Sequence, residues 1–174
     1  MHPLTQLIYH DMKPALGVTE PGAIAFAVAK AKAQIGGTVE LVELRLNSGM
    51  YKNAFTCGIP GSTQVGNLYA AALGATGADA QKGLECLDGI TDAQHKQAQQ
   101  LVDQGKVRAE MSEVTSRIYI EAEVTTDQGN ATVIIRDSHT NITEIRVNGD
   151  TVFLAQAEEI QDDGDLAAPI HSYT

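Results

Sequence analysis

Residues 117–155 read RIYIEAEVTTDQGNATVIIRDSHTNITEIRVNGDTVFLA. Within them Arg117 to Thr125, Asn130 to Arg136, Ile142 to Val147 and Thr151 to Ala155 are short runs rich in β-branched and aromatic residues, the composition and length of strands. Asp127-Gln128-Gly129 and Asn148-Gly149 separate two of the joins, and Asn-Gly in particular suits the tight type I′ turn of a hairpin. Val107 to Met111 adds a further strand upstream. Ser138-His139-Thr140-Asn141 falls in the break between Arg136 and Ile142, so it belongs to a connection and not to a paired strand.

Toward the N-terminus the pattern changes to helices. Pro3 to Asp11 predicts a short helix that stops before Lys13-Pro14. An Ala-rich run to Gln34 predicts a longer one, with Thr19 as N-cap, Pro21 in its first turn and Gly36-Gly37 at its end. Val39 to Leu46 alternates as a half-buried strand. Asn47 to Gly66 carries Gly49, Gly58, Pro60, Gly61 and Gly66 and reads as a long loop, of the kind that carries function in a compact domain. Amides around Gly61-Ser62-Thr63 are candidates for a small anion-binding nest. Val65 to Ala75 and Ala80 to Leu87 predict a helical pair, and Thr91 to Gln104 another helix capped by Thr91 or Asp92 and ended by Gly105. The predicted class is α+β, an antiparallel or mixed sheet with helices packed against it.

At 174 residues the chain has material for one domain with a substantial core. We place that domain at 1–157, followed by an acidic linker or tail at 158–174. The net charge of −10 argues against nucleic acid, because phosphate binding requires clustered Lys and Arg. The longest apolar run, Ala23 to Ala29, is far below the roughly 20 residues of a membrane span. The N-terminus lacks a signal-peptide pattern, so a cytoplasmic location is expected. Cys57 and Cys86 are not spaced as a metal pair. Cys86 reads as a buried packing residue. Cys57 reads as packing too, or, beside Gly58-Ile59-Pro60-Gly61, as a weak candidate for a metal or substrate contact.

Three polar groups carry candidate chemistry. His139, flanked by Ser138, Thr140 and Asn141, is placed to move a proton near neutral pH while its neighbours hold a carboxylate or amino group. The same residues also suit a turn whose side chains bond the local backbone. Lys52-Asn53 offers a cation and an amide. Thr19 and Glu20 stand at a helix start, where unpaired amides favour an anion. Glu20 is there a candidate base, or simply a favourable charge at the helix start.

Gly17-Val18-Thr19-Glu20-Pro21, Lys52-Asn53, Gly58-Ile59-Pro60-Gly61 and Ser138-His139-Thr140-Asn141 occur in this order. With Ala70 to Ala75 and Lys82-Gly83-Leu84-Glu85, they give a likeness running from about Lys13 to Phe153. In these motifs the chain resembles the L-cysteine desulfidase family, with the UPF0597-type proteins, related to the α part of iron-sulfur L-serine dehydratases. The resemblance implies the N-terminal half of a longer lyase. That enzyme would take L-cysteine to pyruvate, ammonia and sulfide, or L-serine to pyruvate and ammonia, by elimination, using a 4Fe-4S cluster and no pyridoxal phosphate. It further implies that Glu20 and His139 act on a substrate held by Thr19, Lys52, Asn53, Ser138, Thr140 and Asn141. In that family the first motif reads Gly-Cys-Thr-Glu-Pro, and its cysteine is a cluster ligand. Val18 has no donor atom, so the alternative is a cluster-free, non-catalytic domain of the same fold that binds a small amino acid without eliminating it or is purely structural. Oligomerisation stays open.

Overall fold

The apolar strand faces and the Ala-rich helix of the sequence meet as two layers. The computed structural model describes residues 2–12 and 14–156. Helix α1, Pro3–Asp11, lies in a terminal unit, and Ala15–Ala155 make up a second unit. The latter contains α2 (Thr19–Ile35), β1 (Val39–Leu46), α3 (Ser48–Thr56), α4 (Asn67–Thr76), a 3-10 turn (Gly83–Glu85), α5 (Asp92–Asp103), β2 (Val107–Met111), β3 (Tyr119–Thr126), β4 (Gly129–Arg136), β5 (Ile142–Val147) and β6 (Asp150–Leu154). The acidic stretch 158–174 lies outside the described residues.

The six strands form one mixed sheet in the order β2-β1-β3-β4-β5-β6. β1 and β2 run parallel, and every other pair is antiparallel. This is the α+β arrangement expected, helices packed against a sheet. Because side chains alternate along a strand, the register aligns Leu44 with Ala122 and Val42 with Val124, and then Ala122 with Val133, on one buried face. The other face is mixed: Tyr119 and Ile134 are buried on it, while Arg45 bonds Glu121 at 2.9 Å and Asn130 bonds Glu123 at 3.1 Å.

Helix α2 is buried from Pro21 to Ala29 and again at Ala31. A helix apolar on all sides must be covered on all sides, and α2 is packed by β3 and β4, by α4 and by the 3-10 turn. Its alanines let α4 approach closely. At the crossing, a Cβ on Gly74 would stand 2.6 Å from the Ala25 carbonyl oxygen and 2.9 Å from Val28 Cβ. Only a hydrogen fits there.

Four local expectations change. Val18, not Thr19, is the N-cap of α2, and it contributes no side-chain hydrogen bond. Thr19 has entered the first turn, where its hydroxyl bonds side chains instead of the backbone. The Asn47 to Gly66 loop contains helix α3, stabilised by Met50 and Ala54, a pair four residues apart that is buried on the core side. Ala80 to Leu87 is not a helix but a set of turns around the 3-10 segment, because Gly83 sits at φ 55°, outside the right-handed helical region. In the proposed nest, the Ser62 amide is bonded to the Ile59 carbonyl and that of Gln64 to Ser62 Oγ.

Candidate functional site

Three separate segments meet at the start of α2. The Gly17 loop approaches it from the N-terminal side and rests on the Gly58-Ile59-Pro60-Gly61 turn, so closely that a Cβ on Gly17 would lie 3.3 Å from Pro60 Cγ. Helix α3 brings Asn53, whose Nδ2 donates to Glu20 Oε1 at 3.4 Å. The connection between β4 and β5 brings His139, whose Nε2 lies 3.3 Å from Thr19 Oγ1, 120 residues away in sequence. The Thr19 hydroxyl also donates to Glu20 Oε2 at 3.4 Å. The contacts form a chain of four side chains, His139, Thr19, Glu20 and Asn53.

The chain has a direction. With the Thr19 proton on the bond to Glu20, the Thr19 oxygen accepts from His139, which then carries its proton on Nε2 and keeps a lone pair on Nδ1. All of these contacts are long for hydrogen bonds. Partial burial pushes the pKa of His139 below its ordinary value, an effect opposed by the Glu20 carboxylate and reinforced by the Arg117 guanidinium. His139 is therefore neutral at pH 7 and able to accept a proton. Arg117 carries no such signal in the sequence, where it reads only as the first residue of a strand.

The uncapped helix start adds donors. Val18 is extended, with φ −60° and ψ 127°, and contributes no side-chain cap, so among the described residues the first amides of α2 have no side-chain acceptor. The helix dipole and these amides favour an anion at the same end as the Glu20 carboxylate. A zwitterion, which needs an anion for its ammonium and donors for its carboxylate, matches both.

The other expected residues lie around this group. Lys52 neighbours Asn53 on α3, is exposed, and makes no ion pair with a described residue. Asn141 is turned onto its own connection, with Nδ2 donating to the Arg136 carbonyl at 3.1 Å. Ser138 helps shape that turn, its amide bonding the Arg136 carbonyl at 2.7 Å. Thr140 lies beside the 3-10 turn, its Cγ2 4.0 Å from where a Gly83 Cβ would be. Ser138 and Asn141 thus hold the turn that presents His139.

The donor set does not fit a cubane iron-sulfur cluster, which is held by cysteine thiolates. Position 18 is an aliphatic side chain, 45% exposed. Cys86 is buried, donates to the Gly22 carbonyl at 3.6 Å, and has a thiol pKa pushed by burial up to about 12. Cys57 caps the end of α3. Among the described residues no three His, Cys, Asp or Glu side chains are grouped to hold a metal ion.

No family model and no solved structure matches the chain. Curated proteins do. A UPF0597 protein of Clostridium botulinum (strain Langeland) is 39% identical over 150 residues, 86% of this chain and 35% of its own length. One from Oleidesulfovibrio alaskensis is 35% identical over 158 residues, 91% of this chain and 37% of its own. One from Shewanella sp. (strain ANA-3) is 38% identical over 161 residues, 92% of this chain and 38% of its own. The chain spans between a third and two fifths of the length of these relatives, and over most of its own length it is a homologue of the UPF0597 proteins.

Proposed function

We propose that this chain binds a small L-amino acid of the cysteine or serine class at the Thr19–Glu20–Asn53–His139 cluster, as the substrate-holding part of an amino-acid elimination fold. The single observation that carries this reading is the convergence of Glu20, Asn53 and His139 from three segments on the uncapped start of α2. The ammonium is recognised by Glu20. The carboxylate takes the first amides of α2, with Lys52 and Asn53 as further donors. His139, with its lone pair on Nδ1, is an acceptor for a hydrogen bond from the bound amino acid. The likeness of the motifs to L-cysteine desulfidases supports the substrate class. The valine at position 18 supports binding without elimination by this chain, because the thiolate that the related motif supplies is absent.

Titration calorimetry with L-serine and L-cysteine tests the proposal, with pyruvate formation measured in parallel. The expected result is saturable binding, weakened about tenfold or more in Glu20→Gln by the loss of a charged hydrogen bond, and no pyruvate. Equal heats for wild type and Glu20→Gln, or no heat in either, would sink the assignment.

A further inference from the structure

Strand β2 is one edge of the sheet and is paired on one side only, with β1. The N–H and C=O of each residue in a strand point to the same side, and that side alternates from residue to residue. The Lys106 carbonyl accepts from the Val42 amide at 2.8 Å, and the Ser112 amide donates to the Leu46 carbonyl at 2.7 Å. Residues 106, 108, 110 and 112 therefore address β1. Val107, Ala109 and Met111 turn their backbone groups outward, where no strand among the described residues receives them.

The side chains alternate as well. Val107, Ala109 and Met111 lie opposite Val42, Leu44 and Leu46 on the helix-covered face, while Arg108 and Glu110 lie opposite Glu43 and Arg45 on the other. Arg108 and Glu110 are exposed, and neither makes a salt bridge with a described residue. Met111 is 65% exposed. A groove of about 500 Å³ adjoins the strand, and its lining includes Tyr51, Phe55, Val107, Arg108 and Ala109. An open edge with apolar surface beside it is a template for a further strand.

What distinguishes β2 is that its sequence is complementary to itself. Reversed about Ala109, the run Val107-Arg108-Ala109-Glu110-Met111 sets Val107 on Met111, Arg108 on Glu110, and Ala109 on Ala109. The opposite edge lacks this property. There β6 exposes Val152, Phe153 and Leu154, but its only charge is Asp150, and its register against β5 is broken between Ile145 and Arg146.

We infer that the chain forms a two-fold dimer through β2, antiparallel and centred on Ala109, so that two sheets join into one. The symmetry makes each unlike pair occur twice. The outward backbone groups of Ala109 pair with those of the partner's Ala109, and those of Val107 with those of the partner's Met111. These are the hydrogen-bonded positions of the ladder. Arg108 and the partner's Glu110 then take the non-hydrogen-bonded positions, where opposed Cα atoms are nearest, at about 4.5 Å, and opposite charges help most. On the helix-covered face the partner's Met111 meets Val107 at the groove, a gap-filling task that suits a flexible thioether. The dimer rests on the edge alone and is independent of amino-acid binding at α2.

Sedimentation of the chain over a concentration series tests the inference, together with amide hydrogen exchange. Salt of about 0.1 M screens the net charge beyond about 10 Å while leaving contact pairs effective. The expected result is a reversible monomer–dimer equilibrium in which protection of the Val107, Ala109 and Met111 amides grows with concentration. Arg108→Glu sets like charges together at both pairs and should weaken the dimer about tenfold, as should Glu110→Arg. The double variant Arg108→Glu/Glu110→Arg, whose charges match again, should recover most of the loss. Ala109→Pro removes an outward N–H and no bond to β1, and should leave the chain monomeric. The charge variants lie at exposed positions and decide the question even if the proline variant fails to fold. A monomer at every concentration would overturn the inference. So would a dimer indifferent to the charge reversals, or one that protects the amides of β6 and leaves those of β2 exchanging as in dilute solution.

Discussion

Helix α5 and helix α2 start in opposite ways. At α5 the Thr91 side chain accepts from the Gln94 amide while the Gln94 side chain accepts from the Thr91 amide, a closed capping box. At α2 the corresponding position is Val18, which offers nothing, and the polar side chains nearby bond one another across segments. The two helices belong to one layered unit, yet only α5 completes its first turn from within. A start that is satisfied internally serves stability. One left open beside a carboxylate and a histidine keeps its donors for something else, at a cost of about 1 kcal/mol relative to a good cap.

The strongest way to break this comparison is to disturb what holds the open starts in place. Gly74→Ala forces a methyl group into the Ala25 backbone at the crossing of α2 and α4, and should lower stability by about 2–4 kcal/mol. Chemical denaturation measures it, and a loss under about 0.5 kcal/mol would mean that the crossing is looser than described. Next come the caps themselves. Thr91→Ala should cost about 1 kcal/mol and leave amino-acid binding unchanged. Val18→Ser should do the reverse: it caps α2, raises stability by about 0.5–1 kcal/mol, and weakens amino-acid binding by occupying the amides. Parallel melts and titrations check the pair, and unchanged affinity in Val18→Ser would show that the start of α2 is not part of the site.

The smallest effect concerns pH. The folded-state pKa of His139 lies below its ordinary value near 6.5, so between the two values the unfolded chain binds more protons than the folded one. Stability therefore rises with pH through that window and falls as the solution is acidified toward the folded pKa. His139→Gln should flatten the dependence of melting temperature on pH below about 6.5. A wild-type profile as flat as that of the variant would mean that His139 is more solvated than the site requires.

Much of this fold is legible in the sequence, and the exceptions have physical causes. Asn148-Gly149 predicts its turn because both residues take positive φ, 51° and 89°, at little cost. Val39–Leu46 and Val107–Met111 coincide with β1 and β2, and the alternation in β1 reflects one buried face. Helix α3 escapes notice because only Met50 and Ala54 anchor it, amid glycines and polar residues, and its stability comes from tertiary contacts. Ala80 to Leu87 has helix-forming composition, but the backbone at Gly83 prevents a helix. For the cluster at α2, chemistry alone singles out His139 and hints at Glu20. Their meeting through Thr19 depends on a contact across 120 residues, which no local pattern encodes, and Arg117 leaves no mark at all.

The strand order has a kinetic consequence. β3 to β6 are joined by short connections, so their pairings close small loops and form early. β1 and β2, the one parallel pair among the described residues, must wait for the whole segment from 47 to 106 to be gathered between them. That segment contains α3 and α4, and with them Asn53. The hairpin bearing His139 can thus form ahead of the amino-acid cluster, and a chain that has paired β3 to β6 but not β1 with β2 would hold an ordered sheet yet be unable to bind. Refolding followed by sheet content and by ligand-dependent shifts should accordingly show the second signal lagging the first.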